Sequence, residues 1–109
     1  MSEITKIINS IKTFNQERDW DQFHNPKDLA IALNIETSEL LELFLWKRDI
    51  EVDESKVKEE LADIFMYAFN IANKFNFDIP TIINEKLEKN ALKYPVEKSK
   101  GTSKKYNDL

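Results

Sequence analysis

Asn25-Pro26-Lys27-Asp28-Leu29-Ala30-Ile31-Ala32-Leu33-Asn34-Ile35-Glu36-Thr37-Ser38-Glu39-Leu40-Leu41-Glu42-Leu43-Phe44-Leu45-Trp46 is the stretch that decides the fold. Asn25 before Pro26 is a start signal, an N-cap followed by proline at the first helical position. The spacing predicts a helix running to about Lys47, apolar around most of its circumference and therefore buried. At about 100° per residue, Leu29, Ala32, Leu33, Leu40 and Leu43 fall within one arc. Glu36 lies inside that arc and Glu39 at its edge. Burying unpaired carboxylates costs several kcal/mol or forces protonation, so a cation is expected beside them. With one histidine and no cysteine in the chain, the expected cation is a hard metal bound by oxygen.

A second acidic pair, Glu60 and Asp63, has the same three-residue spacing. Residues three apart on a helix point the same way, so each pair aims two carboxylates at one place. Two facing helices with axes about 8–10 Å apart bring the pairs together. Magnesium takes octahedral oxygen ligation and keeps waters or substrate phosphates in its remaining positions. Taken alone, the second pair sits on an ordinary amphipathic helix. There Lys56, Glu59, Glu60, Asp63, Tyr67, Asn70 and Lys74 form a face expected to be solvated, while Val57, Leu61, Ile64, Phe65, Ala68 and Phe75 line the other. The apolar surroundings of Glu36 are what break that ordinary pattern.

The remainder is consistent with an all-α domain. One glycine and three prolines in 109 residues leave little material for the turns of a β fold. A first helix runs from a Ser2 cap to about Arg18, with Ile4, Ile7, Ile8, Ile11 and Phe14 on one stripe. Asp19 to His24 reads as a connector and Arg48 to Asp53 as a charged loop. A third helix, capped by Asp53 or Ser55, continues to about Phe75 or Asn76. Asp78 and Pro80 open a fourth helix, which Tyr94-Pro95 closes. Four such helices imply an antiparallel bundle over residues 1–95. Residues 96–109 are expected to be a polar, lysine-rich tail, mobile or laid over a neighbour. The apolar girth of the second helix exceeds what three neighbours need, which predicts self-association.

Composition excludes several chemistries. Without cysteine there are no disulfides, thiolate zinc sites or cysteine nucleophiles. The only histidine, His24, precedes the second helix, so a Glu-x-x-His di-iron bundle is ruled out. No glycine occurs before Gly101, which removes P-loops, dinucleotide fingerprints and EF-hands. The net charge of −4 argues against a nucleic-acid polymer as partner. No apolar run is long enough for a membrane span, and no signal-peptide core is seen, so a cytoplasmic protein is expected. Ten acids against four bases between Glu36 and Asp63, then seven lysines against four acids from Glu85 on, suit a metal site with an anion nearby.

Trp20, Phe23, His24 and Trp46 form a second constellation. Aromatics at such places can stack on a nucleobase; for Phe23 a plug in the core is the preferred reading, and His24 reads as a turn residue.

Taken together, Arg18-Asp19-Trp20-Asp21-Gln22-Phe23-His24-Asn25-Pro26, the segment Glu36 to Trp46, Glu59-Glu60-Leu61-Ala62-Asp63-Ile64, Asn90-Ala91-Leu92-Lys93-Tyr94-Pro95 and Lys104-Lys105-Tyr106 resemble the MazG-like nucleotide pyrophosphohydrolases, dCTP pyrophosphatase branch, over nearly the whole chain. The resemblance implies an all-α fold assembling as a dimer or dimer of dimers. It implies a housecleaning enzyme that cleaves a nucleoside triphosphate to monophosphate and pyrophosphate with Mg2+, for which Mn2+ can substitute. Carried over, Glu36, Glu39, Glu60 and Asp63 would hold metal, with Glu39 and Glu36 catalytic. Trp20, Asp21, Gln22, Phe23, His24, Trp46 and Tyr67 would form the nucleotide pocket, and Lys74, Asn90, Lys93 and Tyr94 would reach phosphate or sugar. Eukaryotic members carry a histidine of the base pocket where this chain has Ile11, which bears on base preference. Expected substrates are dCTP or a modified pyrimidine deoxynucleotide. The rivals are dUTP or an oxidised purine on the same fold, and a non-catalytic helical interaction module.

Overall fold

The computed structural model describes residues 1–109. The chain is all-α, with four long helices, one short one and no strand. It divides into two compact units, Met1–Asn76 and Phe77–Leu109.

The first unit holds α1 (Glu3–Glu17), α2 (Pro26–Glu42) and α3 (Glu54–Lys74). Every start is a side-chain cap that satisfies an amide the helix leaves without a partner. Ser2 Oγ accepts from the Thr5 amide at 3.1 Å and Asn25 Oδ1 from the Asp28 amide at 2.9 Å. Asp53 Oδ1 accepts from the Ser55 amide at 3.0 Å and from its hydroxyl at 2.6 Å. The Ser55 bonds hold the Asp53 carboxyl below its ordinary pKa. α3 packs mainly on α2 and also touches α1. Ile11 on α1, Leu29 on α2 and Ala72 on α3 are buried, with Leu29 1% exposed.

Two expectations for the second helix need correction. It ends at Glu42 rather than Lys47. The amides of Leu43, Phe44 and Leu45 bond three residues back, to Leu40, Leu41 and Glu42, so the chain tightens out of the α-helix. Trp46 then takes φ 60°, the left-handed conformation that commonly stops a helix. Nor is the helix buried all round: Ile31, Ile35 and Leu41 are exposed in the single chain. The charged segment that follows contains a 3₁₀ turn, Asp49–Glu51.

The second unit holds α4 (Ile79–Lys93) and α5 (Val96–Ser99). Asp78 Oδ2 caps α4, accepting from the Thr81 amide at 3.2 Å and its hydroxyl at 2.6 Å. The segment expected to be a mobile tail has local structure: α5, then a 3₁₀ turn at Tyr106–Asp108. The Tyr106 ring meets Tyr94 edge-on at 6.1 Å, with the Lys93 ammonium 5.0 Å from its centroid. These contacts give the lysine-rich end a reason to fold back. No helix is long and apolar enough to cross a membrane.

Candidate active site

Packing α3 on α2 brings the two acidic pairs together, but unequally. Glu36, Glu60 and Asp63 each offer a carboxylate oxygen within 4.8 Å of the other two, and all three are half-buried. Glu39 is exposed and is not one of these three, but it lies beside Glu36, on which it acts by side-chain hydrogen bonding as well as by charge. Of the polar face of α3, expected to be solvated, Glu60, Asp63 and Tyr67 are half-buried and Asn70 is buried, whereas Lys56, Glu59 and Lys74 are exposed as expected. Leu61, Phe65 and Phe75, on its apolar face, are exposed.

The electrostatics of the trio are uncompensated. Burial, then the neighbouring Glu60, Glu39 and Asp63 carboxyls, pushes Glu36 up to about 7. Burial, with Glu36, Asp63 and Glu39 adding to it, also raises the Tyr67 hydroxyl. No lysine or arginine pairs with the cluster; the ion pair in this chain joins Arg48 to Glu51. Glu36 Oε2 and Glu60 Oε2 are shut off from solvent and have no hydrogen-bond partner. Oxygens around a small divalent ion at about 2.0–2.1 Å lie about 3 to 4.2 Å apart, so these carboxylates need little movement to hold one. The donor set, all oxygen and anionic, fits a hard cation.

Asp63 also lines a cleft of about 420 Å³ formed by Ser10, Ile11, Phe14 and Asn15 of α1, His24 of the connector, and Met66, Tyr67 and Asn70 of α3. Its size is typical of small-molecule sites. A more polar recess of about 360 Å³ adjoins it, lined by Lys12, Asn15, Gln16, Asp21, His24, Asn70, Asn73 and Lys74. Asn15, His24 and Asn70 line both.

Among the residues expected to bind substrate, His24 and Tyr67 line the cleft, and Asp21 and Lys74 the polar recess. Trp20 buttresses the cleft wall, edge-on to Phe14 at 5.6 Å and to His24 at 6.4 Å. Gln22 turns away, donating to the Asp19 carbonyl and carboxylate. Phe23 is no core plug: it is 62% exposed, because the Asp21–Phe23 turn carries it off the helices. Trp46 is 99% exposed and lines neither cavity. Asn90, Lys93 and Tyr94 belong to the second unit. Sequence reasoning missed Ser10, Phe14, Asn15, Met66 and Asn70 as cleft residues. Asn15 could have been found, since it continues the Ile4, Ile8, Ile11 stripe where an apolar residue is expected.

The MazG-like family model matches residues 31–109. The chain is 39% identical to dCTP pyrophosphatase 1 of Rattus norvegicus, over 88% of this chain and 61% of that protein. It is 36% identical to the Homo sapiens protein of the same name, again over 88% and 61%. The chain thus spans less than two-thirds of the length of these relatives. A crystal structure of a pyrophosphatase from Archaeoglobus fulgidus superposes with a TM-score of 0.83 at 31% identity, covering 87% of this chain and 94% of that one.

Proposed function

Because the chain belongs to the MazG-like family, we propose that it is a divalent-metal-dependent nucleoside triphosphate pyrophosphohydrolase. The observation that carries the reading is the convergence of Glu36, Glu60 and Asp63, with two solvent-excluded oxygens lacking partners, at the edge of a nucleoside-sized cleft. The names of the relatives direct the choice of substrate to dCTP or a modified pyrimidine deoxynucleotide.

Glu36, Glu60 and Asp63 would hold Mg2+, with Mn2+ as a substitute. When bound, the ion would neutralise triphosphate charge and make water more acidic. Glu39, exposed and outside the trio, is free to accept a proton from the attacking water. Water adds to the α-phosphorus, the bridging P–O bond breaks, and pyrophosphate leaves with the bonding pair. Tyr67, His24 and the apolar cleft hold the nucleoside.

We assign this activity to residues 1–95, with residues 96–109 appended. Ile31, Ile35, Leu41, Leu45, Trp46 and Phe65 are exposed in the single chain, apolar surface that a second copy would cover, which supports a dimer or dimer of dimers. Incubation of dCTP and Mg2+ with the protein should release pyrophosphate and dCMP. Release of orthophosphate would reject the bond assignment, and release of neither would reject the function.

A further inference from the structure

Asn15 on α1 and Asn70 on α3 are the buried polar residues of the chain, 5% and 8% exposed. Asn15 Nδ2 donates to Asn70 Oδ1 at 3.0 Å. Each amide offers two donor hydrogens and a carbonyl acceptor, so this one bond leaves Asn15 Oδ1 and Asn70 Nδ2 without a partner. A concerted turn of both amides preserves the bond, and in either orientation one acceptor and one donor stay free side by side. Both residues line the cleft, whose neighbouring walls of Ile11, Phe14 and Met66 offer no side-chain hydrogen bond. Neither free atom is among the side-chain atoms shut off from solvent without a partner, so solvent reaches both, and a ligand in the cleft can replace that solvent with hydrogen bonds of its own.

The position of the pair supplies its use. Asn70 lies seven residues beyond Asp63, about 10 Å along α3 and on nearly the same face. A nucleotide whose phosphates meet the acidic trio spans that length with its sugar and base. We propose that Asn15 and Asn70 together read the polar edge of the nucleobase, one amide donating to it and the other accepting. They are specificity-determining residues for a pyrimidine carrying a hydrogen-bonding group at position 4 beside N3. This rests on the triphosphate binding as proposed above.

The test compares dCTP with the triphosphate of the 2-pyrimidinone deoxynucleoside, the same ring without the 4-amino group. It reads kcat/KM for pyrophosphate release and, independently of turnover, calorimetric affinity for the α,β-imido forms of both. The unaltered protein should favour cytosine by about 10–100-fold, the range for leaving a buried partner unpaired. In the double variant Asn15→Ala/Asn70→Ala the ratio should fall to within about threefold of unity. If that variant does not fold, Asn70→Ser leaves Asn15 a hydroxyl partner but withdraws the free amide, and the ratio should drop there too. A structural role alone would lower the melting temperature and weaken both ligands equally. Equal handling of the two ligands by the unaltered protein, or a ratio unmoved by the variants, overturns the inference. Hydrolysis with an unmoved ratio leaves the enzymatic reading intact; asparagine-dependent selective binding without hydrolysis does the reverse.

Discussion

Glu36 of α2 and Glu60 of α3 each carry a solvent-excluded Oε2 with no hydrogen-bond partner, and each brings a carboxylate oxygen within 4.8 Å of the other and of Asp63. Two carboxylates in this relationship repel when both are ionised, and the packing of α3 on α2 holds them together.

A pH dependence follows from Glu36, whose pKa stands at about 7 against an ordinary 4.5. Between those values the folded chain keeps a proton that the unfolded chain has lost. The metal-free protein is therefore most stable below about pH 4.5 as far as this group is concerned, and loses that contribution as pH rises through about 7. A bound cation displaces the proton, so magnesium affinity should rise over the same window and binding near neutrality should release protons. Melting curves with and without Mg2+ across that range, and calorimetry in buffers of different ionisation enthalpy, check this. A flat metal-free profile would exclude it.

Glu36→Gln removes one of the repelling charges. At pH 8 the metal-free variant should melt a few degrees higher than the parent, as expected for about 1 kcal/mol in a domain of this size. The rise in melting temperature produced by Mg2+ with a non-hydrolysable triphosphate should vanish. Glu60→Gln should behave alike. A lowered melting temperature together with a retained Mg2+ response would show that these oxygens serve only the fold.

Glu39→Gln should separate binding from chemistry. Since Glu39 is exposed and outside the trio, the Mg2+-dependent stabilisation should largely survive. Pyrophosphate release should fall by about 10²–10⁴-fold, the usual worth of a general base. Full turnover in this variant would remove Glu39 from the mechanism.

Self-association is tested on the exposed apolar surface. Sedimentation should show a species larger than the 12.9 kDa chain. Leu41→Asp combined with Phe65→Asp should shift it toward the monomer while keeping the helical circular dichroism. A monomeric parent protein would end the proposal.

Leu29 is the residue on which the α2 packing turns. Leu29→Ala should cost about 2–5 kcal/mol, read from denaturant midpoints, whereas Asn25→Ala, which removes only the cap, should cost about 1 kcal/mol. A smaller loss at Leu29 than at Asn25 would contradict the burial described.

Local chemistry decided the helix starts, and it was legible in the chain. Ser2, Asn25, Asp53 and Asp78 each satisfy amides within three residues, so no distant partner enters the matter. The paired spacing of Glu36/Glu39 and Glu60/Asp63 was legible for the same reason: helical periodicity aims both members together. What the tertiary structure alone decided was which side of each helix faces inward. The polar face of α3 reads as solvated until α2 presents Glu36 to it, and an apolar face such as that of α2 reads as buried although only part of it meets a neighbour within this chain. Glu39 came to rest at the exposed edge of the acidic cluster, and Asn15 met Asn70 across 55 positions, through helix packing that no local pattern encodes. Propensity acts along a few residues, whereas convergence depends on where two separate surfaces come to rest.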